Sequence, residues 1–389
     1  MQQGRRPLLA VLVAAAALLA ACGGGGDPIG PKTAISRVVV AGDSLADSGT
    51  FGARFTVQNS ADPANPFPVF SEIVARNFDV TECPFFVATS ATNVVNNPTA
   101  GCTNFAVGGG RIRLHDTDAT PDLQQTSVPF QLATAGQAIG TYAATDLVLV
   151  DGGGNDAADL VTAFLGAGTG AAGLQNYQRF LSQQLDAATL QATLAPGTPA
   201  ALAAAAGLYM QKLADTYYDA IKVNALDRGA THVAVLNVPD VTLIPALQPA
   251  LAAVSNANGG GTAGATAAAT FKATVQQWLQ AFNTELAARV GSDSRVAIVP
   301  FFADITEEIG NPASFALTNV TGTACSALGA NVNAGAACTS AALDAAPPAG
   351  LAAGWWRTWA FADPLHPTPF GHQLLAASVN RALARAGWL

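Results

Sequence analysis

The sequence predicts an α/β fold, a three-layer α/β/α sandwich about a mainly parallel sheet, on three observations. Short, almost wholly apolar runs recur along the chain, long helix-compatible stretches separate them, and no repeat period or internal linker divides the residues after the N-terminal segment. The first run, residues 35–41 (ISRVVVA), ends at Gly42 and reads as a strand buried on both faces. Residues 147–150, 232–236 and 296–299 read as further strands of the same sheet. Residues 180–190, 201–228 and 265–289 carry helix composition, with alanine-rich 198–206 as a packing surface and glycine-rich 259–264 as a loop. Residues 56–68, 81–101 and 305–354 are rich in Pro, Asn, Gly and Thr, and read as the loops in which ligand selection resides.

At 389 residues, 50% hydrophobic and 11% charged, the chain can bury a large core and is not disordered. Its formal net charge of -8 offers nucleic acid no basic footprint. Arg5 and Arg6 precede an apolar stretch, residues 8–21, that is shorter than the roughly 20 residues of a spanning helix and shaped like a secretory signal. Residues 1–21 are therefore expected to be a signal peptide, residues 22–34 a flexible tether, and residues 35–389 the folded domain. Leu19-Ala20-Ala21-Cys22 resembles a bacterial lipobox, which implies lipid attachment at Cys22 and a membrane partner through that anchor. Gly23 in place of an aspartate implies an exported outer-membrane lipoprotein. Four of the five cysteines remain after Cys22. Cys83 and Cys102 share one loop-like region, Cys325 and Cys338 another, and none has C-x-x-C spacing. Two local disulfides are the simplest of the three possible connectivities.

The chemistry begins directly after the first strand, in Gly42-Asp43-Ser44-Leu45-Ala46-Asp47-Ser48-Gly49. A serine at the carboxyl end of a parallel strand stands at the crevice where open α/β sheets bind ligands, although Gly-Asp-Ser is also ordinary turn chemistry. A nucleophilic serine needs a base and a group to orient that base. Of the four histidines, His115 sits among charged residues, His232 opens a strand, and His372 falls in the first turn of the last helix. His366 follows Asp363 by three residues, and Pro364 and Pro367 stiffen the stretch between and after them. Thr368 reads as the N-cap and Pro369 as the first residue of the helix beyond. One short loop can thus present a carboxylate to one imidazole nitrogen and leave the other for Ser44. Gly108 to Gly110 and Gly152 to Gly154 carry neither the Walker lysine nor the complete G-x-G-x-x-G pattern, and no H-E-x-x-H or G-x-S-x-G is present.

These residues resemble the GDSL, or SGNH, serine hydrolases. Four separated blocks stand in the family's order: Gly42-Asp43-Ser44-Leu45 with Asp47 and Gly49, then Asn104-Phe105-Ala106-Val107-Gly108-Gly109, then Gly153-Gly154-Asn155-Asp156, then Asp363-x-x-His366. The resemblance implies a flavodoxin-like sandwich, Ser44 as nucleophile, His366 as general base and acid, and Asp363 as its orienting partner. It also implies an oxyanion hole from the backbone N–H groups of Ser44 and Gly109 and the Asn155 side chain, with Asp43, Asp47 and Asp156 supporting them. No metal or organic cofactor is implied. The expected reaction is hydrolysis of lipidic or short-chain acyl esters through an acyl-enzyme. The family also includes phospholipases and carbohydrate deacetylases; residues 103–111 and 235–240 look most like its lecithinase-like branch. The contrasting reading is a non-catalytic lipoprotein that binds glycans or lipids in the same cleft. Trp355, Trp356, Trp359 and Phe361, all just before Asp363, are candidates for an apolar substrate wall or for packing beneath the catalytic loop, and Phe51 is a similar candidate.

Overall fold

The computed structural model describes residues 33–90, 93–114 and 123–389. The expected signal peptide, Cys22, nearly all of the tether and His115 lie outside the described residues. Ala34–Leu389 forms one compact unit. Its strands are β1 (Arg37–Ala41), β2 (Phe86–Ser90), β3 (Asn93–Asn96), β4 (Asp146–Val150), β5 (Val233–Leu236), β6 (Val296–Val299), β7 (Asn319–Thr323) and β8 (Trp359–Phe361).

The central sheet has the order β1-β4-β5-β6, and every pair in it is parallel. Along the other edge of β1, Asn104 bridges Val40 in parallel: the Val40 N–H donates to Thr103 O (3.0 Å) and the Phe105 N–H to Val40 O (2.7 Å). With that bridge as a rudimentary edge position, the chain passes from β1 to one side and returns to β4 on the other. The strand order reverses beside β1, and at such a switch point the loops leaving adjacent strands diverge and open a crevice.

Alternation along the strands supplies both faces. Val39, Ala41, Val148, Val150, Val233 and Val235 pack with helices Val128–Ile139, Gly154–Ala167, Pro199–Asn224 and Gly261–Val290. Val38, Val40, Leu147, Leu149, Ala234 and Leu236 pack with helices Phe70–Arg76, Phe301–Gly310 and Pro369–Arg385. The result is the three-layer sandwich, with both sides of the sheet dry.

Three sequence expectations are corrected. The helix expected over 180–190 is two helices, Ala171–Leu181 and Ala187–Leu194, because the Asp186 side chain accepts the Thr189 N–H (2.9 Å) and starts a new one. The loop expected over 259–264 already contains the start of helix Gly261–Val290. Gly264 belongs there for space: a Cβ would lie 2.4 Å from Ser255 O of the preceding helix. Residues 81–101 and 305–354 are not irregular throughout, since the first carries the antiparallel β2–β3 hairpin and the second β7 and helix Ser340–Ala345. Cys83 is bonded to Cys102 and Cys325 to Cys338.

Candidate active site

The turn after β1 is wound by its own backbone, as the Ala46 and Asp47 N–H groups both donate to Asp43 O (3.2 and 3.1 Å). The Gly42 N–H is held by Gln131 Oε1 (2.7 Å) from helix Val128–Ile139. This leaves Ser44 at the carboxyl end of β1, 8% exposed. On the other side, Ala362 N–H donates to His366 O (2.8 Å) and closes a tight loop, and Thr368 Oγ1 caps helix Pro369–Arg385 at Gly371 N (3.1 Å). The expected cap and proline therefore set where the loop stops.

Between these two segments the side chains form a relay. His366 Nε2 lies 2.9 Å from Ser44 Oγ, and His366 Nδ1 lies 2.7 Å from Asp363 Oδ2. Asp363 Oδ1 accepts the N–H groups of Leu365 and His366 (both 2.8 Å), and Oδ2 also accepts Ala334 N–H (2.9 Å). Burial alone pushes the Asp363 carboxyl up, but the His366 hydrogen bond, with the Leu365 and Ala334 amides, holds it below the usual value. An ionised Asp363 can only accept, so Nδ1 carries the hydrogen and Nε2 is free to take the Ser44 proton.

The remaining motif residues converge on the same turn. Asp47 ties two blocks together, accepting Gly49 and Thr50 N–H on Oδ1 (2.9 and 2.7 Å) and Gly108 N–H on Oδ2 (2.8 Å). Asp156 accepts the N–H groups of Ile112 and Arg113 (3.0 and 2.9 Å) and so fixes the strand-like stretch after Gly109 to helix Gly154–Ala167. Burial pushes its carboxyl up to about 6 against those two bonds. Gly110 packs on the nucleophile turn so closely that a Cβ would lie 2.5 Å from Gly42 O. Gly109 adopts φ +80°, a left-handed conformation that glycine takes without strain. Among the described residues, neither the Ser44 nor the Gly109 amide has an intramolecular acceptor. Asn155 Nδ2 donates to Gly110 O (2.9 Å), with a longer contact to Asp43 Oδ2 (3.4 Å). Free amides beside a serine hydroxyl are what a developing oxyanion requires.

Ser44 and Asn155 both line an apolar cleft of about 610 Å³, counted to its open mouth, whose walls include Leu45, Val241, Ile244, Phe301, Ile305 and Phe361. Of the candidate wall residues Phe361 lines this cleft, and the expectation is corrected for Phe51, Trp356 and Trp359, none of which does. Trp356 is 1% exposed, donates from Nε1 to Asp344 Oδ1 (2.8 Å), and packs beside the Cys325–Cys338 bridge. Trp359 lies edge-on to Trp355 at 4.5 Å, so these tryptophans build the floor of the His366 loop. Phe51 is exposed and packs edge-on to Phe55, 6.3 Å away.

Phe55, which sequence reasoning missed, lies with its ring 5.0 Å from that of His366. A Cβ at Gly108 would collide with it at 2.3 Å. His372 is buried, accepts Phe70 N–H on Nδ1 (3.3 Å), and burial holds it neutral with its value lowered to about 3. His232 lies edge-on to Trp388 at 5.0 Å, away from the relay.

A doubly wound sheet that gathers a hydroxyl, an imidazole, a carboxylate and free amides at its switch point defines a hydrolytic α/β enzyme. The chain belongs to the GDSL-like Lipase/Acylhydrolase family, whose model matches residues 38–379. A search of the curated proteins found no match. Membership makes the protein a hydrolase of ester or acyl bonds.

Proposed function

We propose that the protein is a serine esterase acting on carboxylic esters that carry a hydrocarbon chain, through an acyl-enzyme on Ser44. The observation that carries this reading is the Ser44–His366–Asp363 relay, with contacts of 2.9 and 2.7 Å, at the mouth of an apolar cleft. His366 Nε2 takes the Ser44 proton as Oγ attacks the ester carbonyl. The Ser44 and Gly109 amides and the Asn155 side chain receive the oxyanion, and His366 then returns the proton to the departing alcohol. Water repeats the sequence on the acyl-enzyme and restores Ser44. The cleft walls offer hydrocarbon but few polar partners, which supports lipidic or aliphatic acyl esters over sugar esters.

Export and anchoring at Cys22 belong to the same proposal, and they rest on the sequence of residues 1–34. The two disulfides support an oxidising compartment. Hydrolysis of p-nitrophenyl esters from acetyl to palmitoyl, by protein beginning after Cys22, tests the chemistry against a Ser44→Ala control. Ser44-dependent turnover with covalent labelling by a fluorophosphonate is expected. Turnover retained in Ser44→Ala would defeat the serine mechanism, and no turnover with no labelling would favour a binding lipoprotein.

A further inference from the structure

A second carboxyl stands directly behind the nucleophile turn, and the relay does not use it. Asp151 follows β4, and its carboxyl fills the space that a side chain at Gly42 would occupy: a Cβ there would lie 1.4 Å from Asp151 Oδ1 and 2.5 Å from its Cγ. It is 2% exposed and borders the same small recess as Asp43 and Asn237. As a carboxylate, Asp151 would leave both oxygens buried without a well-formed hydrogen bond, the backbone amides of Asp43 and Asp151 only approaching them. Its side chain meets that of Asp43, and two carboxyls in contact form a hydrogen bond only when one of them keeps a proton.

Which acid keeps it follows from their surroundings. Asp43 accepts Leu45 N–H on Oδ1 (2.9 Å), has the Asn155 amide near Oδ2 (3.4 Å), and feels the positive charge of Arg111. Asp151 faces the negative Asp43, with Tyr217 of helix Pro199–Asn224 nearby. Burial first, and then the Asp43 charge, pushes Asp151 well above the carboxylate range. Burial raises Asp43 as well, and it stays above the usual value, although the Leu45 amide and the bond from Asp151 oppose the rise.

We propose that Asp151 is a positioning residue: its carboxyl donates a hydrogen bond to the Asp43 carboxylate, and Asp43, fixed in this way, holds the Leu45 amide and with it the turn that presents Ser44. Gly42 is the necessary counterpart, because any side chain there would expel Asp151. The inference rests on the esterase reading above. It assigns Asp151 no contact with substrate.

The test is the kinetics of Asp151→Asn, Asp151→Ala and Gly42→Ala/Asp151→Ala on a p-nitrophenyl ester, with thermal melting of each. Asparagine can supply the donor through its amide, so Asp151→Asn is expected to keep kcat within about threefold of the parent. Asp151→Ala is expected to lose about tenfold or more in kcat with KM little changed, the pattern of an interaction needed in the transition state. In the double variant the Gly42→Ala methyl occupies the vacated space, so melting is expected to recover while kcat stays low. A merely structural Asp151 would instead let kcat return with stability. Parent-like kcat in a folded Asp151→Ala, recovery of kcat in the double variant, or an Asp151→Asn as impaired as Asp151→Ala would each overturn the proposal. Ser44→Ala run alongside separates the failures: if it stays inactive, only the positioning role falls, and if it turns over, the esterase mechanism falls with it.

Discussion

Replacing Asp363 with asparagine changes one atom and should disable the relay, and the hydrogen-bond inventory says how. Asp363 accepts four hydrogens: Leu365 and His366 N–H on Oδ1, and Ala334 N–H and His366 Nδ1–H on Oδ2. Asparagine has one acceptor oxygen, so either rotamer sets its NH₂ against two donors. With the NH₂ at the Oδ1 position, two buried backbone amides are stranded, at about 1–3 kcal/mol each. With it at the Oδ2 position, one amide is stranded and the imidazole can escape by moving its proton from Nδ1 to Nε2. That second arrangement costs less, and it points an N–H at Ser44 Oγ across 2.9 Å, where a lone pair is needed. The expected loss in kcat is therefore about 10⁴-fold, the scale of a wrong-tautomer triad, against a loss of only about 1–3 kcal/mol in folding stability. Steady-state hydrolysis of a p-nitrophenyl ester and a thermal melt of the same preparation read both quantities. A folded Asp363→Asn variant that kept a tenth of the parent kcat would refute the argument, because Asp363 would then not be setting the tautomer.

Two further outcomes follow from buried groups around the relay. The Cys325–Cys338 bridge closes a segment with a sequence separation of 13 that contains Ala334, the amide bonded to Asp363. Replacing both cysteines with serine should cost about 3 kcal/mol of stability and lower kcat severalfold with little change in KM. The corresponding Cys83/Cys102 replacement should cost similar stability with less effect on kcat, and equal kinetic effects of the two pairs would show that the Ala334 contact is unimportant. Glu82 is buried between Ser71 Oγ and Asn104 Nδ2, both 2.9 Å from its Oε2, and burial raises its carboxyl from the usual 4.5 to about 8. Its folded value exceeds its unfolded one, so the stabilisation is complete below about pH 4.5 and is lost as pH rises to about 8. The slope is about 1.4 kcal/mol per pH unit for one such group. The melting temperature should fall across that window, and Glu82→Gln should flatten the fall; a variant with the parent's slope would show that Glu82 is not its source.

How much of this was legible in the sequence depended on how local the physics was. Apolar runs marked all four strands of the central sheet because burial leaves polar residues only at the strand starts, where Arg37 pairs with Asp146, and β6 matches its expected bounds residue for residue. The His366 loop was legible because Pro364, Pro367, Thr368 and Pro369 constrain their own backbone, whatever the rest of the chain does. The edge position at Asn104 was not, since a single bridge has no periodicity to detect. The tryptophans before Asp363 carried the right composition for either a substrate wall or a floor. Only the fold decides which, by placing Asp344 under the Trp356 indole. Phe55 was hidden for a similar reason, because its partner His366 lies on a distant segment of the chain.

Glycines make the same point most sharply, because one letter stands for two different requirements. Gly109 is needed for its backbone, which sits at φ +80°, and a reader of motifs expects that of every glycine in a catalytic turn. Gly42 is not among the positive-φ residues, so conformation does not explain it. What explains it is the carboxyl of Asp151, which the pairing of β1 with β4 brings against it, Ala41 lying opposite Val150 in the register. The first letter of the nucleophile block is thus a space requirement set by a residue of the next strand. Gly42→Ala is therefore expected to cost less folding stability beside Asp151→Ala than beside the native aspartate. An aspartate that ends a buried strand, one residue after an otherwise apolar run, was the sequence signal available for that coupling, and it became readable only once the strand order was known.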